Sequence, residues 1–374
     1  MKTGQSDTVD IFLAGDVMTG RGIDQALPHP CEPRLHEPWV QDARTYVRLA
    51  EEENGTVPSP VACDDIWGAA LEELQQRQPD LRLINLETAV TISDEWWRSK
   101  GIHYRMHPDN VPVLTCAGID ICALANNHVL DWGRSGLQET LKTLDSAGIA
   151  RAGAGKDSSE ARAPAIADRP EGGRVLVFSV GGPGCGIPGD WAAAEGVPGV
   201  HLLDDISEAT ASQLAKQLSA ARRAGDIVIL SIHWGGNWGY DIPEAWRRFA
   251  HRLIDLESVD LVHGHSSHHP KGLELYRDRL ILYGCGDLIN DYEGIGGHEE
   301  FRPELGLLYF PSLHAGTGRL EALEMVPTRL RNFHLNRADR DDAQWLHRIL
   351  DRESRRYGTR IALGEDGILT LQKS

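Results

Sequence analysis

The sequence predicts an α/β protein with substantial parallel strand pairing, and two observations favour this class. Short apolar runs bounded by Gly, Asn and Asp are typical of buried strands, and helical patterns separate several of them. Each run ends abruptly in a polar residue of catalytic type. The runs cover residues 10–14, 81–84, 121–125, 227–232, 259–262 and 280–283. Because ligands bind beyond the carboxyl ends of parallel strands, the polar residues that follow are expected to converge on one site.

Three segments between these runs have the pattern of helices: residues 135–147, 207–224 and 243–256. Leucines at helical spacing mark the first of them, and Gly148 follows it as the expected C-terminal cap. Residues 181–200 carry many Gly and Pro residues and predict a long loop, of the kind that often forms a lid in a compact enzyme.

The ligand-type residues lie within residues 1–312, which we predict to form the catalytic domain. Residues 28–64, rich in Pro, Glu and His, are expected to form an insertion near the site. Residues 313–374 are predicted as a C-terminal extension that packs on the same domain. It is expected to contain a helix over residues 341–357 and a hairpin over residues 360–371.

Composition and charge exclude several classes of function. The chain has 374 residues, of which 41% are hydrophobic, so it is able to bury a sizeable core. Its formal net charge of -17 argues against nucleic acid and anionic membranes as partners. The N-terminal residues lack the pattern of a secretory signal, no window resembles a membrane-spanning helix, and the six cysteines form no C-x-x-C pair. We therefore expect a cytoplasmic protein with reduced thiols.

Six residues of metal-ligand type follow the predicted strands: Asp16, Glu87, Asn127, His233, His265 and His268. Each has an ordinary structural explanation on its own, such as a turn-capping carboxylate or amide, or a packed or solvated histidine. Their shared position at strand ends favours a metal centre instead. His265 and His268 lie three residues apart and are able to reach two adjacent metal ions. Nitrogen and oxygen ligands without thiolates suit Mn, Fe or Zn better than a structural zinc site.

Five motifs are typical of one enzyme superfamily: Gly15-Asp16, Asn85-Leu-Glu87, Ala125-Asn-Asn-His-Val-Leu-Asp-Trp-Gly133, His233-Trp-Gly235 and Gly264-His-Ser-Ser-His268. With them the chain resembles the CapA-like branch of the calcineurin-like metallophosphoesterases, the poly-γ-glutamate synthesis proteins, over about residues 10–312. The resemblance implies a four-layer αββα sandwich. It also implies that the six ligand-type residues surround one or two divalent metal ions, with Mn expected and Fe, Zn, Ca or Mg as alternatives. His128 would then face the substrate.

Two departures from the wider superfamily concern the metal site. Met18 stands where the usual Asp-x-His would place an imidazole ligand, and Glu87 replaces the usual bridging aspartate. The number of metal positions therefore stays open between one and two. A third departure is that the sequence shows no membrane anchor. In this respect it resembles the soluble members of the branch, among them a metal-dependent epimerase of a lasso-peptide precursor.

The first expectation for the reaction is inversion of a Cα centre, from L to D, in a ribosomal, lasso-type precursor peptide. A metal would polarise the carbonyl, and one acid and one base would act on opposite faces of the carbon. His128 is one candidate because it adjoins the ligand Asn127. The candidates for the opposite face are Asp287, Asp291 and His298. Turn capping explains the two aspartates equally well, and the histidine lies in a Gly-rich loop that needs no catalytic role.

Four residues are candidates for binding a peptide substrate. Trp234 and Trp238 flank a Gly-Gly-Asn segment and are able to form an aromatic wall. Arg21 and Arg105 are able to hold a substrate carboxylate through paired hydrogen bonds. The alternatives are loop packing for the tryptophans and surface ion pairs for the arginines.

Three other functions fit the same sequence. A metal-dependent hydrolase of phosphoesters or amides would use the same centre. A non-catalytic role in poly-γ-glutamate synthesis or export is the second alternative, and a metal-stabilised module that binds peptides is the third. Epimerisation in D₂O would add deuterium at Cα, whereas hydrolysis would produce fragments or free phosphate without that label.

Overall fold

The computed structural model describes residues 7–169 and 172–373 and confirms the predicted α/β class. Within these residues the strands are, in chain order, β1 (Thr8–Val17), β2 (Leu81–Leu86), β3 (Ala89–Val90), β4 (Arg105–Met106), β5 (Ile121–Ala123), β6 (Ala150–Ala152), β7 (Ala154–Gly155), β8 (Ala165–Asp168), β9 (Arg174–Gly181), β10 (Gly199–Val200), β11 (Ile227–His233), β12 (Leu261–His265), β13 (Leu273–Tyr276), β14 (Arg279–Leu282), β15 (Asp287–Ile289), β16 (Leu305–His314), β17 (Leu320–Arg331), β18 (His334–Arg337), β19 (Arg360–Leu363) and β20 (Leu369–Gln372). The α-helices are α1 (Gly22–Ala26), α2 (Arg44–Asn54), α3 (Cys63–Trp67), α4 (Ala69–Arg77), α5 (Pro112–Thr115), α6 (Gly133–Ser146), α7 (Ser158–Arg162), α8 (Glu208–Ala221), α9 (Glu244–Asp255) and α10 (Arg340–Arg355).

The larger sheet joins a parallel half to an antiparallel half. Its main order is β19-β20-β17-β16-β1-β2-β5-β6, with β15 beside β1 and β18 beside β17. Strands β1, β2, β5 and β6 are parallel neighbours, as the alternation of strands and helices predicts. Strands β16 to β20 pair antiparallel, so the C-terminal part of the chain extends the sheet that contains the first strand.

The smaller sheet has the order β13-β14-β12-β11-β9-β8. Its inner strands β9, β11, β12 and β14 are parallel, while β8 and β13 pair antiparallel at its edges. Every residue of β11 is buried, which is typical of a parallel strand that is covered on both faces.

Alternating side chains build a core on each face of both sheets. Ile11 of β1 and Ile229 of β11 belong to one buried cluster between the two sheets. Phe12, the next residue of β1, packs on the outer face in a cluster with residues of α3, α4 and α6. Leu230, the next residue of β11, packs in another cluster with residues of α8 and α9. The layers are therefore helix, sheet, sheet and helix, the four-layer sandwich that the family resemblance implies.

The predicted helices are present with small shifts at their ends. Helices α6, α8 and α9 occupy the segments predicted over residues 135–147, 207–224 and 243–256. Gly148 follows α6 with a φ of 74°, a conformation that favours glycine, and so it ends the helix as predicted. The helix predicted near the C-terminus is α10, and the predicted final hairpin is β19–β20. Among the described residues, no helix combines the length and apolar character that crossing a membrane requires.

Candidate metal centre

Parallel strands of both sheets bring ligand-type side chains to one end of the sandwich. Asp16, near the end of β1, is in register with Asn85 of β2 on one side and with Asp287 of β15 on the other. In the smaller sheet, His233 at the end of β11 is in register with His265 at the end of β12. The carboxyl ends of the strands thus meet in the manner that the sequence predicts.

The backbone beside Asp16 makes a close approach that depends on glycine. A Cβ atom added to Gly15 would lie 1.8 Å from the carbonyl oxygen of Gly286, far inside van der Waals contact. The amide of Asp16 donates to that same carbonyl oxygen at 3.0 Å. The approach of β15 therefore requires glycine at position 15, and the same pairing places Asp16 beside Asp287.

Two groups of buried side chains share Asp16. The first group contains Asp16, His233 and His265, and the second group contains Asp16, His268 and Asp287. In each group the ligand atoms lie within 4.8 Å of one another. Asp16 therefore stands between two adjacent positions that are each able to hold a cation.

Two further predicted ligands face the first group. Oδ1 of Asn127 is 3.0 Å from Nε2 of His233, and Oε1 of Glu87 is 3.8 Å from the same Nε2 atom. The side-chain amide of Asn85 donates to Oδ1 of Asp16 at 2.8 Å and to Oε2 of Glu87 at 3.4 Å. The structure thus brings together all six residues that the sequence predicts as metal ligands.

Without a cation, burial makes the charged forms of the ionisable groups in the centre energetically unfavourable. Burial, reinforced by the nearby Asp287, raises the pKa of Asp16 to about 7. Burial and the charge of Asp16 raise the pKa of Glu87 well above its usual range. Burial acts to lower the pKa of His268, but the pKa is raised overall by the charges of Asp287 and Asp16. Because buried charges are stable when they are paired or coordinate a metal, this set of side chains fits a divalent cation.

Asp287, a predicted acid or base, instead belongs to the second group. Its Oδ1 atom is 2.9 Å from Nδ1 of His268, and its Oδ2 atom accepts from the amide of Asn290 at 2.9 Å. The physical reason is the parallel pairing of β15 with β1, which sets Asp287 directly opposite Asp16. Asp287 therefore lies among side chains of metal-ligand type, in contact with His268 and opposite Asp16.

His128 is held by a carboxylate on the side away from the two groups. Its Nδ1 atom is 2.6 Å from Oδ2 of Asp131, and its Nε2 atom is 3.8 Å from Oε1 of Glu87. Asp131 also accepts from the amide of Tyr104 at 2.7 Å and from Nζ of Lys100 at 2.5 Å. It is therefore a carboxylate, and Nδ1–H of His128 donates to it. Burial lowers the pKa of His128 to about 4, so the ring is neutral and presents an Nε2 lone pair to the centre.

Lys100 and Tyr292 border the centre, and the sequence gives no signal for either. Lys100 reaches Asp131 from an irregular segment, where it lies in a Ser-Lys-Gly sequence typical of exposed loops. The hydroxyl of Tyr292 is 3.3 Å from Nε2 of His268. Both contacts depend on how distant loops fold against the strand ends, which no local spacing reveals.

Asp291 and Arg21, predicted for catalysis and for substrate binding, are instead paired with each other. Nε of Arg21 donates to Oδ2 of Asp291 at 2.9 Å, and Nη1 of Arg21 lies 3.2 Å from Oε1 of Glu37. The guanidinium also lies over the rings of Tyr46 and Tyr104. All of these residues are buried, so neither the arginine nor the aspartate is free to meet a substrate.

Arg105 and Trp234, two predicted substrate contacts, have structural roles as well. Arg105 donates to the carbonyl oxygen of Ser93 at 2.8 Å, and its guanidinium lies 3.8 Å above the ring of Trp132. Trp234 is buried, and its ring stacks on that of Trp246 with 4.6 Å between centroids. It lies in the core between β11 and α9 because it alternates with His233, which faces the centre.

Trp238 and His298 lie at the rim of the centre. Their rings stack with 3.9 Å between centroids, and Trp238 also lies 5.4 Å from the ring of His268. A cavity of about 400 Å³ opens beside them and is lined by His298, Asn290 and Tyr292, among others. Of the two tryptophans predicted to contact a substrate, Trp238 is therefore the one that lies beside the second group.

Residues 10–292 match the family model described as bacterial capsule synthesis protein PGA_cap. The chain is 48% identical over 369 residues to the probable polyglutamine synthesis accessory protein of Mycobacterium tuberculosis, covering 98% of this chain and 97% of the relative. It is 27% identical over 322 residues to the PGA biosynthesis protein CapA of Bacillus subtilis, covering 86% and 72%. It is 22% identical over 271 residues to the capsule biosynthesis protein CapA of Bacillus anthracis, covering 68% and 64%.

Proposed function

The chain belongs to the bacterial capsule synthesis protein family PGA_cap, and on this basis we propose that it is a metal-dependent hydrolase of amide bonds in a glutamate or glutamine polymer. The names of the relatives support the polymer as substrate class. The orientation of His128 beside the two groups supports the reaction. Divalent cations bound by these groups would polarise the substrate carbonyl and activate water.

The orientation of the His128 ring is the observation that carries the proposal. Its Nδ1–H donates to Asp131 at 2.6 Å, so Nε2, which carries the free lone pair, is the atom that accepts a proton. A water molecule beside Nε2 would lose its proton as its oxygen attacks the carbonyl carbon. The same proton would then pass from Nε2 to the leaving nitrogen, so that the C–N bond breaks after the C–O bond has formed.

Asp131 supports this cycle by holding the ring. A carboxylate at Nδ1–H fixes the tautomer and stabilises the imidazolium that forms when Nε2 gains a proton. Lys100 and the amide of Tyr104 hold Asp131 in place and keep it ionised. We expect Asp131→Asn to lower turnover without removing the metal, because an amide no longer selects the Nδ1–H tautomer.

Epimerisation at Cα is less well supported by the same geometry. It needs a second acid or base on the opposite face of the carbon. Of the predicted candidates, Asp287 belongs to the second group and Asp291 pairs with Arg21. The third, His298, stacks on Trp238. A mechanism with a single proton-transfer residue agrees better with hydrolysis.

The test is to supply purified protein with Mn²⁺ and to incubate it with poly-γ-glutamate, poly-α-glutamate and polyglutamine peptides. New primary amines should appear with wild type and not with chelator-treated protein or with His128→Ala. Parallel reactions with aryl phosphate esters and in D₂O separate the alternatives. Release of phosphate without new amines would show a phosphoesterase, and deuterium at Cα without new chain ends would show an epimerase; either result would replace the proposal.

A further inference from the structure

A chain of hydrogen bonds connects the backbone of the larger sheet to a ligand of the first group. Ser231 of β11 is in register with His263 of β12, and His233 is in register with His265, so all four side chains lie on one face. Ser231, His263 and His265 are each 0% exposed, so solvent water does not substitute for any of these contacts. The positions of their protons are therefore set by the protein alone.

The first acceptor in this chain of hydrogen bonds determines which atoms donate and which accept. Nε2 of His263 is 2.8 Å from the carbonyl oxygen of Ala14, which only accepts, so Nε2 carries the N–H. A charged His263 would be buried between a carbonyl and a hydroxyl without a counter-ion, so its ring is neutral. Its Nδ1 lone pair then accepts from the hydroxyl of Ser231 at 3.1 Å. That hydroxyl in turn accepts from Nε2–H of His265 at 2.8 Å.

We propose that His263 and Ser231 are positioning residues that fix His265 as its Nε2–H tautomer, so that its Nδ1 lone pair faces the first group before a metal binds. Nδ1 of His265 lies 3.8 Å from Oδ1 of Asp16, the carboxylate that both groups share. This inference rests on the proposed metal centre and is independent of which reaction the centre performs. Such outer partners select the ligand tautomer and orient the ring.

The same order of donors and acceptors determines which ring nitrogen of His233 carries the proton. Without a metal, Nδ1 of His265 accepts the N–H of Nδ1 of His233 at 2.8 Å, so a cation bound at Nδ1 of His265 would replace this hydrogen bond. Nε2 of His233 then presents a lone pair to Oδ1 of Asn127 at 3.0 Å, and that amide oxygen also only accepts. Two acceptors at this distance repel each other. Both atoms would be able to hold a divalent cation, which would remove the repulsion, so the hydrogen-bond chain prepares the first group for a cation.

The test compares the Mn²⁺ affinity of full-length variants, with free Mn²⁺ followed by electron paramagnetic resonance. Ser231→Ala releases His265 from its fixed tautomer, and we expect affinity to fall roughly 10–100-fold. Ser258→Ala is the matched control and should leave affinity unchanged. Ser258 is equally buried, precedes the amino end of β12, and donates to the carbonyl oxygen of Leu253 at 2.8 Å.

A double-variant comparison separates positioning from general loss of structure. His263→Leu should weaken Mn²⁺ binding by a similar factor to Ser231→Ala. The double variant should bind no more weakly than either single variant, because each change alone already breaks the chain. Unchanged affinity in folded Ser231→Ala, or effects of the two changes that simply add, would overturn the proposal.

A measurement on the wild-type chain determines the tautomer directly, and a variant serves only to assign the signals. Nitrogen-15 spectra of the metal-free protein, with the His265 signals assigned from their loss in His265→Gln, should show a protonated Nε2. A protonated Nδ1 would overturn the proposal. If His265 shows Nε2–H and the protein cleaves no amide, the hydrolase proposal fails while the positioning role is supported.

Discussion

Replacing Arg21 by methionine tests whether this residue stabilises the fold or binds substrate. Arg21 donates to the two carboxylate oxygens of Asp291 at 2.9 and 2.5 Å. Its Nη1 lies 3.2 Å from Oε1 of Glu37, and its guanidinium carbon lies 3.8 Å from the centre of the Tyr46 ring. Methionine retains much of the aliphatic volume but leaves two buried carboxylates without a cation.

The expected loss of stability depends on the hydrogen bonds that those two carboxylates retain. Removing one partner of a buried ion pair costs about 3–5 kcal/mol. Asp291 keeps the amide of Gly22 at 2.9 Å and the hydroxyl of Tyr104 at 3.2 Å, and Glu37 keeps the hydroxyl of Tyr46 at 2.5 Å. These remaining hydrogen bonds place the loss for Arg21→Met near the lower end of the range, at about 3 kcal/mol.

The assay is urea unfolding followed by circular dichroism, with chelator present so that metal binding does not contribute to stability. Adding Asp291→Asn to Arg21→Met removes one unpaired charge and should recover about 1–2 kcal/mol. Arg21→Lys keeps the charge and should be less harmful than Arg21→Met. The reasoning is refuted if Arg21→Met unfolds at the same urea concentration as wild type while losing only substrate turnover.

Three further predictions concern the centre, its rim and the fold. His128→Ala should lower turnover roughly 10²–10⁴-fold with metal content unchanged, measured on the same preparation; parallel loss of metal would show that His128 is a ligand. Trp238→Ala should raise KM roughly 2–10-fold and leave kcat and bound metal alone, since it removes only an aromatic contact at the rim. Burial acts to raise the pKa of Glu274, but His251 and Tyr283 bind its carboxylate and lower the pKa overall from the usual 4.5. Ionised Glu274 therefore stabilises the fold above pH 4.5, and this contribution is lost as the pH falls through the lower pKa that Glu274 has in the folded protein. The urea midpoints of Glu274→Gln and wild type should therefore differ at pH 7 and converge in acid.

Local sequence pattern was sufficient to locate most of the centre. Asp16, His233 and His265 each lie at the carboxyl end of an apolar run, and the rule for parallel sheets alone predicts that such ends meet. No knowledge of contacts was needed, because the topology of parallel strands determines where their ends lie. The same rule does not assign roles, so it brings Asp287 to the centre without deciding between a ligand and an acid or base.

Roles that depend on distant pairing were not predictable from the sequence. Arg21 and Asp291 are separated by 270 positions, and nothing in either local sequence shows that the two side chains neutralise each other. Trp234 is different, because a signal for its position was available. Side chains alternate along a strand, so a residue that directly follows the centre-facing His233 is expected to turn toward the opposite face, where α9 covers it.

The most direct test of the central claim is to count the metal ions bound per chain by plasma mass spectrometry after loading with Mn²⁺ and removal of excess. Two groups that share Asp16 predict two ions in wild type and none in Asp16→Ala. His265→Ala should keep the ion of the second group, and His268→Ala should keep the ion of the first. His298→Ala, a control at the rim outside both groups, should keep both ions. Full metal content in the double variant His265→Ala, His268→Ala would contradict the assignment of these two groups as the metal centre.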